Sequence, residues 1–157
     1  MKKRIMFDNC AVNTIAENIE FYERLKEKYE FCVCTEVVNE LARMPDQSKD
    51  PNVNGKEKRV QVFLNFTRLE MKFLFNSVFV LGHSRLDGFS RLTSDESAKV
   101  FNDLRNENRS NISDAIIGST SVAEGCILLT TDRKFCNKMK FFGYPAQYFE
   151  EFKRQNG

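Results

Sequence analysis

Residues 111–135 read NISDAIIGSTSVAEGCILLTTDRKF, and this stretch decides the fold. Its pattern predicts a helix over 112–124 that is rich in small residues and is ended by Gly125 as a C′ residue. The apolar run 127–131 then predicts a buried strand, and Asp132 follows it directly. A helix, a glycine stop and a buried strand in this order are typical of a parallel α/β sheet.

The rest of the chain repeats this alternation of short apolar runs with amphipathic stretches. Further strands are predicted at 4–8, 31–34 and 78–82. Further helices are predicted at 14–29, 36–44, 56–74, 93–104 and 133–142, with a last short element at 146–152. We therefore expect an α/β fold with a mostly parallel central sheet of about four to five strands, flanked by helices. No linker or repeat interrupts the pattern, so residues 1–157 are expected to form a single domain.

Polar residues mark the ends of several predicted helices. Thr14 and Thr93 each have a glutamate three residues later, which is the spacing of a capping box. Thr35 is a candidate N-cap for the helix that follows it. The polar, proline-containing stretch 44–55 predicts a loop.

Composition and charge exclude several classes of protein. The chain has 41% hydrophobic and 29% charged residues and a formal charge of +2, as in an ordinary globular protein. Its five cysteines form no C-x-x-C pair, and its one histidine, His83, is expected in a loop or at the surface. A disulfide scaffold, a zinc site and a nucleophilic triad are therefore not predicted. No secretory signal and no membrane-spanning apolar run is visible, so we expect a cytoplasmic protein that does not enter the membrane.

Four acidic residues occupy positions where an α/β fold builds its sites. Asp8 and Asp132 each close a predicted strand, whereas Glu40 and Asp114 lie in predicted helices. Open parallel sheets bind ligands at the carboxyl ends of their strands, so Asp8 and Asp132 are expected at one edge. Carboxylates crowded there would repel one another, and a divalent cation that prefers oxygen ligands would stabilise them.

Each of these acids also has a purely structural interpretation. Asp8 and Asp132 stand before helices and are candidate N-caps, while Asp114 in a first helical turn suits the helix dipole. Glu40 is also compatible with a solvated helix charge. Glu36 lies one turn earlier on the same face and competes with Glu40 for any role in a site.

Three stretches of the chain together resemble PIN-domain ribonucleases. In that family an Asp opens a small-residue helix, a Gly ends it, and a strand delivers Thr-x-Asp with a Phe close behind, as in 111–135. Residues 5–9 (IMFDN) resemble the family's opening strand with its first Asp. Residues 35–41 (TEVVNEL) resemble the helix that carries its Glu, and the Glu-Leu pair favours Glu40 over Glu36. The length is similar to that of VapC-type toxins, the small stand-alone members.

The resemblance implies a metal-dependent endoribonuclease. Asp8, Glu40, Asp114 and Asp132 would hold one or two Mg²⁺ or Mn²⁺ ions, and water activated there would hydrolyse RNA phosphodiester bonds. Thr130 would orient Asp132 or its water, and Asn9 would do the same near Asp8. Further acids that some members carry after the last Asp are replaced here by Lys134 and Cys136, which leaves the number of metals open.

Partners also follow from the resemblance. A VapC-type toxin forms homodimers and is silenced by a protein antitoxin, so both partners are expected besides the RNA substrate. Arg133 and Lys134 belong to a basic cluster directly after Asp132 and are candidate RNA contacts.

Two other functions compete with this one. The first is a catalytically silent PIN-like module that binds RNA or protein, against which the presence of all four acids argues. The second is a phosphotransfer domain, either a phosphatase of the haloacid-dehalogenase type or a receiver. The phosphatase requires a second Asp two residues after Asp8, where this chain has Cys10, and the receiver requires an acidic pair on its first strand.

Overall fold

A parallel sheet forms the centre of the protein. The computed structural model describes residues 1–46, 54–83, 93–105 and 112–157. Within these ranges five strands form one sheet in the order β3-β2-β1-β4-β5, and every neighbouring pair is parallel. The strands are β1 (Lys3–Phe7), β2 (Tyr29–Cys34), β3 (Lys72–Leu74), β4 (Ile127–Thr130) and β5 (Ala146–Tyr148). The expected α/β class, with its parallel sheet and flanking helices, is confirmed.

Helices connect the strands and flank the sheet. A short 3-10 turn at Ala16–Asn18 separates the first two of them. None of the helices in the described ranges is both long and apolar enough to cross a membrane. The helices are α1 (Asn9–Val12), α2 (Ile19–Leu25), α3 (Thr35–Ala42), α4 (Gly55–Arg68), α5 (Asp95–Arg105), α6 (Ile112–Ala123), α7 (Arg133–Phe141) and α8 (Phe149–Asn156).

Strand β1 lies at the middle of the sheet and of the core. Its residues Ile5, Met6 and Phe7 are fully buried, as expected for a central parallel strand that is covered on both faces. The Phe7 ring makes edge-to-face contacts with Tyr22 and Phe31 at centroid distances of 5.2 and 5.6 Å. Part of the chain's unusual phenylalanine content therefore serves this aromatic core.

Helix α6 packs closely against its neighbours because of a glycine. A Cβ added to Gly118 would collide with Leu104 Cδ1 of α5 and lie 3.1 Å from Met139 Sδ of α7. The small residues noted in the sequence thus permit α6 to approach both helices. Gly125 follows the helix with a positive φ of 65°, as predicted for its C′ residue.

Two predicted elements are wrong. The helix predicted at 56–74 ends at Arg68, because the chain turns at Glu70 with a φ of 52° and then forms the edge strand β3. The apolar period of Phe66, Leu69 and Phe73 continues across this turn and conceals it in the sequence. The run 78–82 contains no strand, although Val78 is buried.

The three predicted threonine caps are also wrong. The helix predicted at 14–29 is α2, which begins only at Ile19 and ends at Leu25, and the Thr14 hydroxyl donates to the Ala11 carbonyl instead of capping it. The Thr35 hydroxyl donates to the Leu74 carbonyl, which ties α3 to the end of β3. Thr93 accepts from the Phe79 N–H, and the neighbouring hydroxyl of Ser94 caps α5 by accepting from the Ser97 N–H. The loop predicted at 44–55 falls largely on residues 47–53, which lie outside the described residues.

Substitution of Gly118 tests the close packing of α6. We expect Gly118→Ala to lower the free energy of unfolding by about 1–2 kcal/mol, because the added methyl overpacks a filled interface. Urea unfolding followed by circular dichroism measures the change. The same substitution in a Leu104→Val background should cost less, since the methyl that it meets is gone. An equal cost in both backgrounds would contradict this account.

Candidate functional site

Asp8 and Asp132 lie side by side at one edge of the sheet. Strands β1 and β4 are neighbours, and the Asp8 N–H continues their pairing by donating to the Leu129 carbonyl at 3.1 Å. Asp132 comes two residues after Thr130, the last residue of β4. Both side chains therefore emerge where the carboxyl ends of adjacent parallel strands place ligands.

The same two carboxylates cap helices. Asp8 Oδ1 accepts from the Ala11 N–H at 2.7 Å, and Asp132 Oδ1 accepts from the N–H groups of Lys134 and Phe135 at 2.8 and 3.1 Å. Their structural interpretation as N-caps is thus correct. It does not exclude a second role, because an ionised carboxylate has two oxygens and about four acceptor sites.

Thr130 connects the two aspartates. Its side chain is fully buried, and its hydroxyl oxygen accepts from the Asp132 N–H at 2.9 Å. A hydrogen bond from Thr130 to the Asp8 carboxylate also lowers the pKa of Asp8, against the larger effect of burial. The sequence predicted that Thr130 orients Asp132; in the structure it contacts the Asp132 backbone and the Asp8 carboxylate.

The charge of Asp114 acts on Asp8, and the charge of Glu40 acts on Asp114. Burial raises the pKa of Asp8 to about 6, and the charges of Asp114 and Asp132 add to that rise. Burial also raises the pKa of Asp114, and the charges of Asp132 and Glu40 raise it further. Each acid of the predicted set thus lies close enough to another to repel it.

The acids do not converge as direct ligands of one ion. Within the described ranges, no group of three or more His, Cys, Asp and Glu side chains is arranged to hold a metal ion. The roles of the four acids as catalytic and metal-binding residues stay predictions.

Helix α3 presents two glutamates to one serine. Glu36 and Glu40 lie one turn apart on the same face, and both carboxylates lie within hydrogen-bond distance of the Ser113 hydroxyl, which has one proton to donate. The side-chain amide of Asn9 also donates to Glu40, and the predicted role of Asn9 near Asp8 stays a prediction. Ser113 directly precedes Asp114, and these bonds therefore link α3 to the start of α6.

Two residues near the acids, His83 and Ser113, were not predicted to take part in the site. His83 lies in a turn, as expected; its side chain is 27% exposed, and Nε2 lies 2.7 Å from Glu36 Oε1. Because the carboxylate of Glu36 is buried, it requires a hydrogen-bond partner within the protein. The sequence shows that His83 is the only histidine, but nothing in it relates residue 83 to residue 36.

The residues present suit a magnesium or manganese ion. The set consists of hard oxygen donors, which these cations prefer. One further oxygen lies among them: Asn9 Oδ1 is buried and has no hydrogen-bond partner within the described part of the chain. A buried amide oxygen without a partner is costly, and a hydrated cation would supply the missing donor.

The predicted RNA contacts lie next to the acids. Arg133 and Lys134 form the exposed first turn of α7, directly after Asp132. The Arg133 guanidinium lies 4.4 Å from the centre of the Tyr148 ring at the end of β5. A groove continues from Arg133 and Tyr148 along α8, where Lys153 and Arg154 line it together with Glu150 and Glu151.

The raised pKa of Asp8 predicts how stability depends on pH. In the unfolded chain Asp8 ionises near 3.8 and in the folded protein near 6, so stability is lost as pH rises between these values. We expect Asp8→Asn to match the wild type at pH 4 and to exceed its unfolding free energy by about 2 kcal/mol at pH 8. Asn keeps an acceptor for the Ala11 N–H. Urea unfolding across this pH range measures the difference, with Glu20→Gln, an exposed acid, as the control.

Cys10 gives a test of the proximity of the acids that needs no metal. It is the exposed cysteine of the chain's five, and the charges of Asp8, Asp114 and Asp132, after burial, raise the pKa of its thiol. We expect Asp114→Asn to lower this pKa and to speed alkylation of Cys10 by iodoacetamide about two- to threefold at pH 7.5. The Glu20→Gln control should leave the rate unchanged. An unaltered rate in Asp114→Asn would place Asp114 away from Asp8 and Cys10.

Comparison with solved structures relates this arrangement to known proteins. A chain of VapBC2 from Rickettsia felis, bound to a DNA fragment from its promoter, is 15% identical with a TM-score of 0.52, over 92% of this chain and 98% of that chain. A chain of VapBC-1 from nontypeable Haemophilus influenzae is 11% identical with a TM-score of 0.55, over 94% and 98%. A protein from Pyrobaculum aerophilum is 16% identical with a TM-score of 0.60, over 98% and 88%.

The similarity to known proteins is one of fold rather than of sequence. No protein-family model and no curated protein sequence matches the chain. The solved structures are similar in their fold at low identity. With its five-stranded, all-parallel sheet and flanking helices, the chain has a PIN-like fold.

Proposed function

We propose that this protein is a metal-dependent endoribonuclease that hydrolyses RNA phosphodiester bonds. Asp8, Glu40, Asp114 and Asp132 hold the catalytic Mg²⁺ or Mn²⁺, some of them through water. The strongest support is that Asp8 and Asp132 follow adjacent parallel strands, with the charge of Asp114 acting on Asp8 and that of Glu40 acting on Asp114. Acids that repel one another destabilise the folded state, and a bound cation would offset that repulsion.

The bound cation would activate water for attack on phosphorus and offset the charge that develops on the phosphate. The chain's own residues would hold the carboxylates in position. Thr130 and the helix N-termini fix the Asp8 and Asp132 carboxylates, while Asn9 and Ser113 hold Glu40 by hydrogen bonds. Carboxylates fixed in this way lose little freedom when the ion binds.

The RNA backbone would approach along the surface next to Asp132. Arg133 and Lys134 are exposed there, and their positive charges attract phosphates into a site that is otherwise acidic. Tyr148, already stacked with Arg133, offers an aromatic face that is compatible with a base.

The biological setting belongs to the same proposal. Two of the similar structures carry the name VapBC, and the sequence resembles VapC-type toxins. We therefore infer that the protein is the toxin of a toxin–antitoxin pair, forms homodimers, acts in the cytoplasm and is silenced by a protein antitoxin. The second candidate function is a catalytically silent module that has the same fold, binds RNA or protein and holds no metal ion.

RNA cleavage in the presence of Mn²⁺ tests the proposal. Purified protein should cleave a long, end-labelled RNA at internal positions and stop when EDTA is added. We expect Asp8→Asn and Asp114→Asn each to lower the cleavage rate by about 100-fold or more, because each removes a charge that binds the ion. The Glu20→Gln control should retain wild-type activity, and circular dichroism should show that all variants are folded.

Two outcomes would contradict the nuclease. Equal cleavage by the wild type and both aspartate variants would trace the activity to a contaminating enzyme. Retained RNA binding without any cleavage, together with no Mn²⁺ binding by calorimetry, would favour the silent module.

A further inference from the structure

Glu36 and Glu40 share a donor but differ in their surroundings. Ser113 Oγ lies 2.8 Å from Glu36 Oε1 and also contacts Glu40. Glu36 is 3% exposed, whereas Glu40 is half-buried. Glu40 also contacts the side-chain amide of Asn9, which directly follows Asp8, so Glu40 lies on the side of the acidic site.

A serine hydroxyl has one proton and cannot donate to two carboxylates at once. If both glutamates are ionised, one of them needs another donor in place of Ser113. His83 is that donor, because its Nε2 lies 2.7 Å from the same Oε1 of Glu36. With His83 donating to Glu36, the Ser113 proton is free to bond Glu40.

A second contact fixes Glu36 in this position. The side-chain oxygen of Asn76, a residue that is 2% exposed, accepts from the Glu36 backbone N–H at 2.9 Å. Asn76 and His83 therefore hold the segment 76–83 against the first turn of α3 from both of its ends. Glu40 lies one turn further along α3, and its side-chain partners are Asn9 and Ser113.

We propose that Glu36 is a positioning residue and that Glu40 alone of the two supplies a carboxylate to the catalytic ion. His83 donates to Glu36 from Nε2, and this releases the Ser113 proton to orient Glu40. The inference rests on the proposed function, since it assigns roles around that metal site. It also assigns different roles to Glu36 and Glu40, between which the sequence favoured Glu40 as the ligand.

The alternative is that Glu36 is itself a ligand, either in place of Glu40 or for a second ion. A ligand carboxylate would have to turn an oxygen towards the cation. The Oε1 atom of Glu36 already lies 2.7 Å from His83 Nε2 and 2.8 Å from Ser113 Oγ, and the residue is almost wholly enclosed. Glu36 thus makes the contacts of a structural anchor.

Calorimetric titration with Mn²⁺ separates the two glutamates. We expect Glu40→Gln to weaken Mn²⁺ binding about tenfold or more, because a ligand charge is lost. Glu36→Gln should change the affinity less than about threefold, because Gln still accepts from His83 and leaves the serine proton with Glu40. Equal losses in the two variants would overturn the proposal and make Glu36 a ligand.

We expect substitution of His83 to weaken Mn²⁺ binding only when residue 36 is a glutamate. His83→Ala should weaken Mn²⁺ binding about tenfold, since Glu36 then competes for the Ser113 proton. His83→Gln, which keeps an N–H donor, should restore most of the affinity. In the Glu36→Gln background, His83→Ala should cost less than about threefold. A cost independent of the residue at position 36 would reduce His83 to a purely structural role and overturn the proposal.

A spectroscopic measurement tests the hydrogen bond without metal. The chain has one histidine, so the ¹⁵N signals of His83 can be assigned directly in the NMR spectrum of the labelled protein. Nε2 should carry a proton, and its shift should change in Glu36→Gln but not in Glu40→Gln. A proton on Nδ1 alone would overturn the proposal, because Nε2 would then accept.

The two readouts also distinguish this inference from the function on which it rests. A protonated Nε2 that responds to Glu36, in a wild type that binds no Mn²⁺, would retain the hydrogen bond and reject the nuclease together with the ligand role of Glu40. Mn²⁺ binding with the unexpected tautomer would reject only the part assigned to His83 and Glu36.

Discussion

The parallel pairing of β1 with β4 is the constraint on which the site depends. This pairing sets Phe7 opposite Leu129, and the Asp8 N–H extends it by one more hydrogen bond. A slip of one residue would turn each side chain to the other face of the sheet and separate Asp8 from Asp132. The fully buried core residues of β1 oppose such a slip, because it would misplace all of them together. Packing in the core therefore specifies the geometry of the acids.

The acidic site lowers the stability of the folded protein. Burial and neighbouring acids raise the pKa of Asp8, which means that its ionised form weakens the folded state near neutral pH. Bonds from Thr130 and the Ala11 N–H offset part of that cost and also fix the carboxylate. The same groups thus limit the repulsion and hold the acid where a cation would need it. Capping and metal binding are compatible roles for one aspartate.

The sequence was most informative where local pattern and fold agree. The helix, Gly125 and β4 were predicted within about a residue, because small residues, a helix stop and an apolar run are local signals. The helix at 56–74 was extended through β3 because an apolar period continued across the turn at Glu70. The contact between His83 and Glu36 was not predicted, for a different reason. The two residues lie 47 positions apart, and a contact at that separation leaves no periodic signal.

The PIN-like fold alone does not identify a reaction, since one fold supports many chemistries. The residue types narrow the choice. A zinc site needs histidine or cysteine, and the single histidine here is bonded to Glu36, while the cysteine closest to the acids is an exposed thiol. Carboxylates and a buried amide oxygen remain, and these donors suit magnesium or manganese. Because such ions keep several waters, some of the proposed ligands would reach the ion through water and need not all touch it directly.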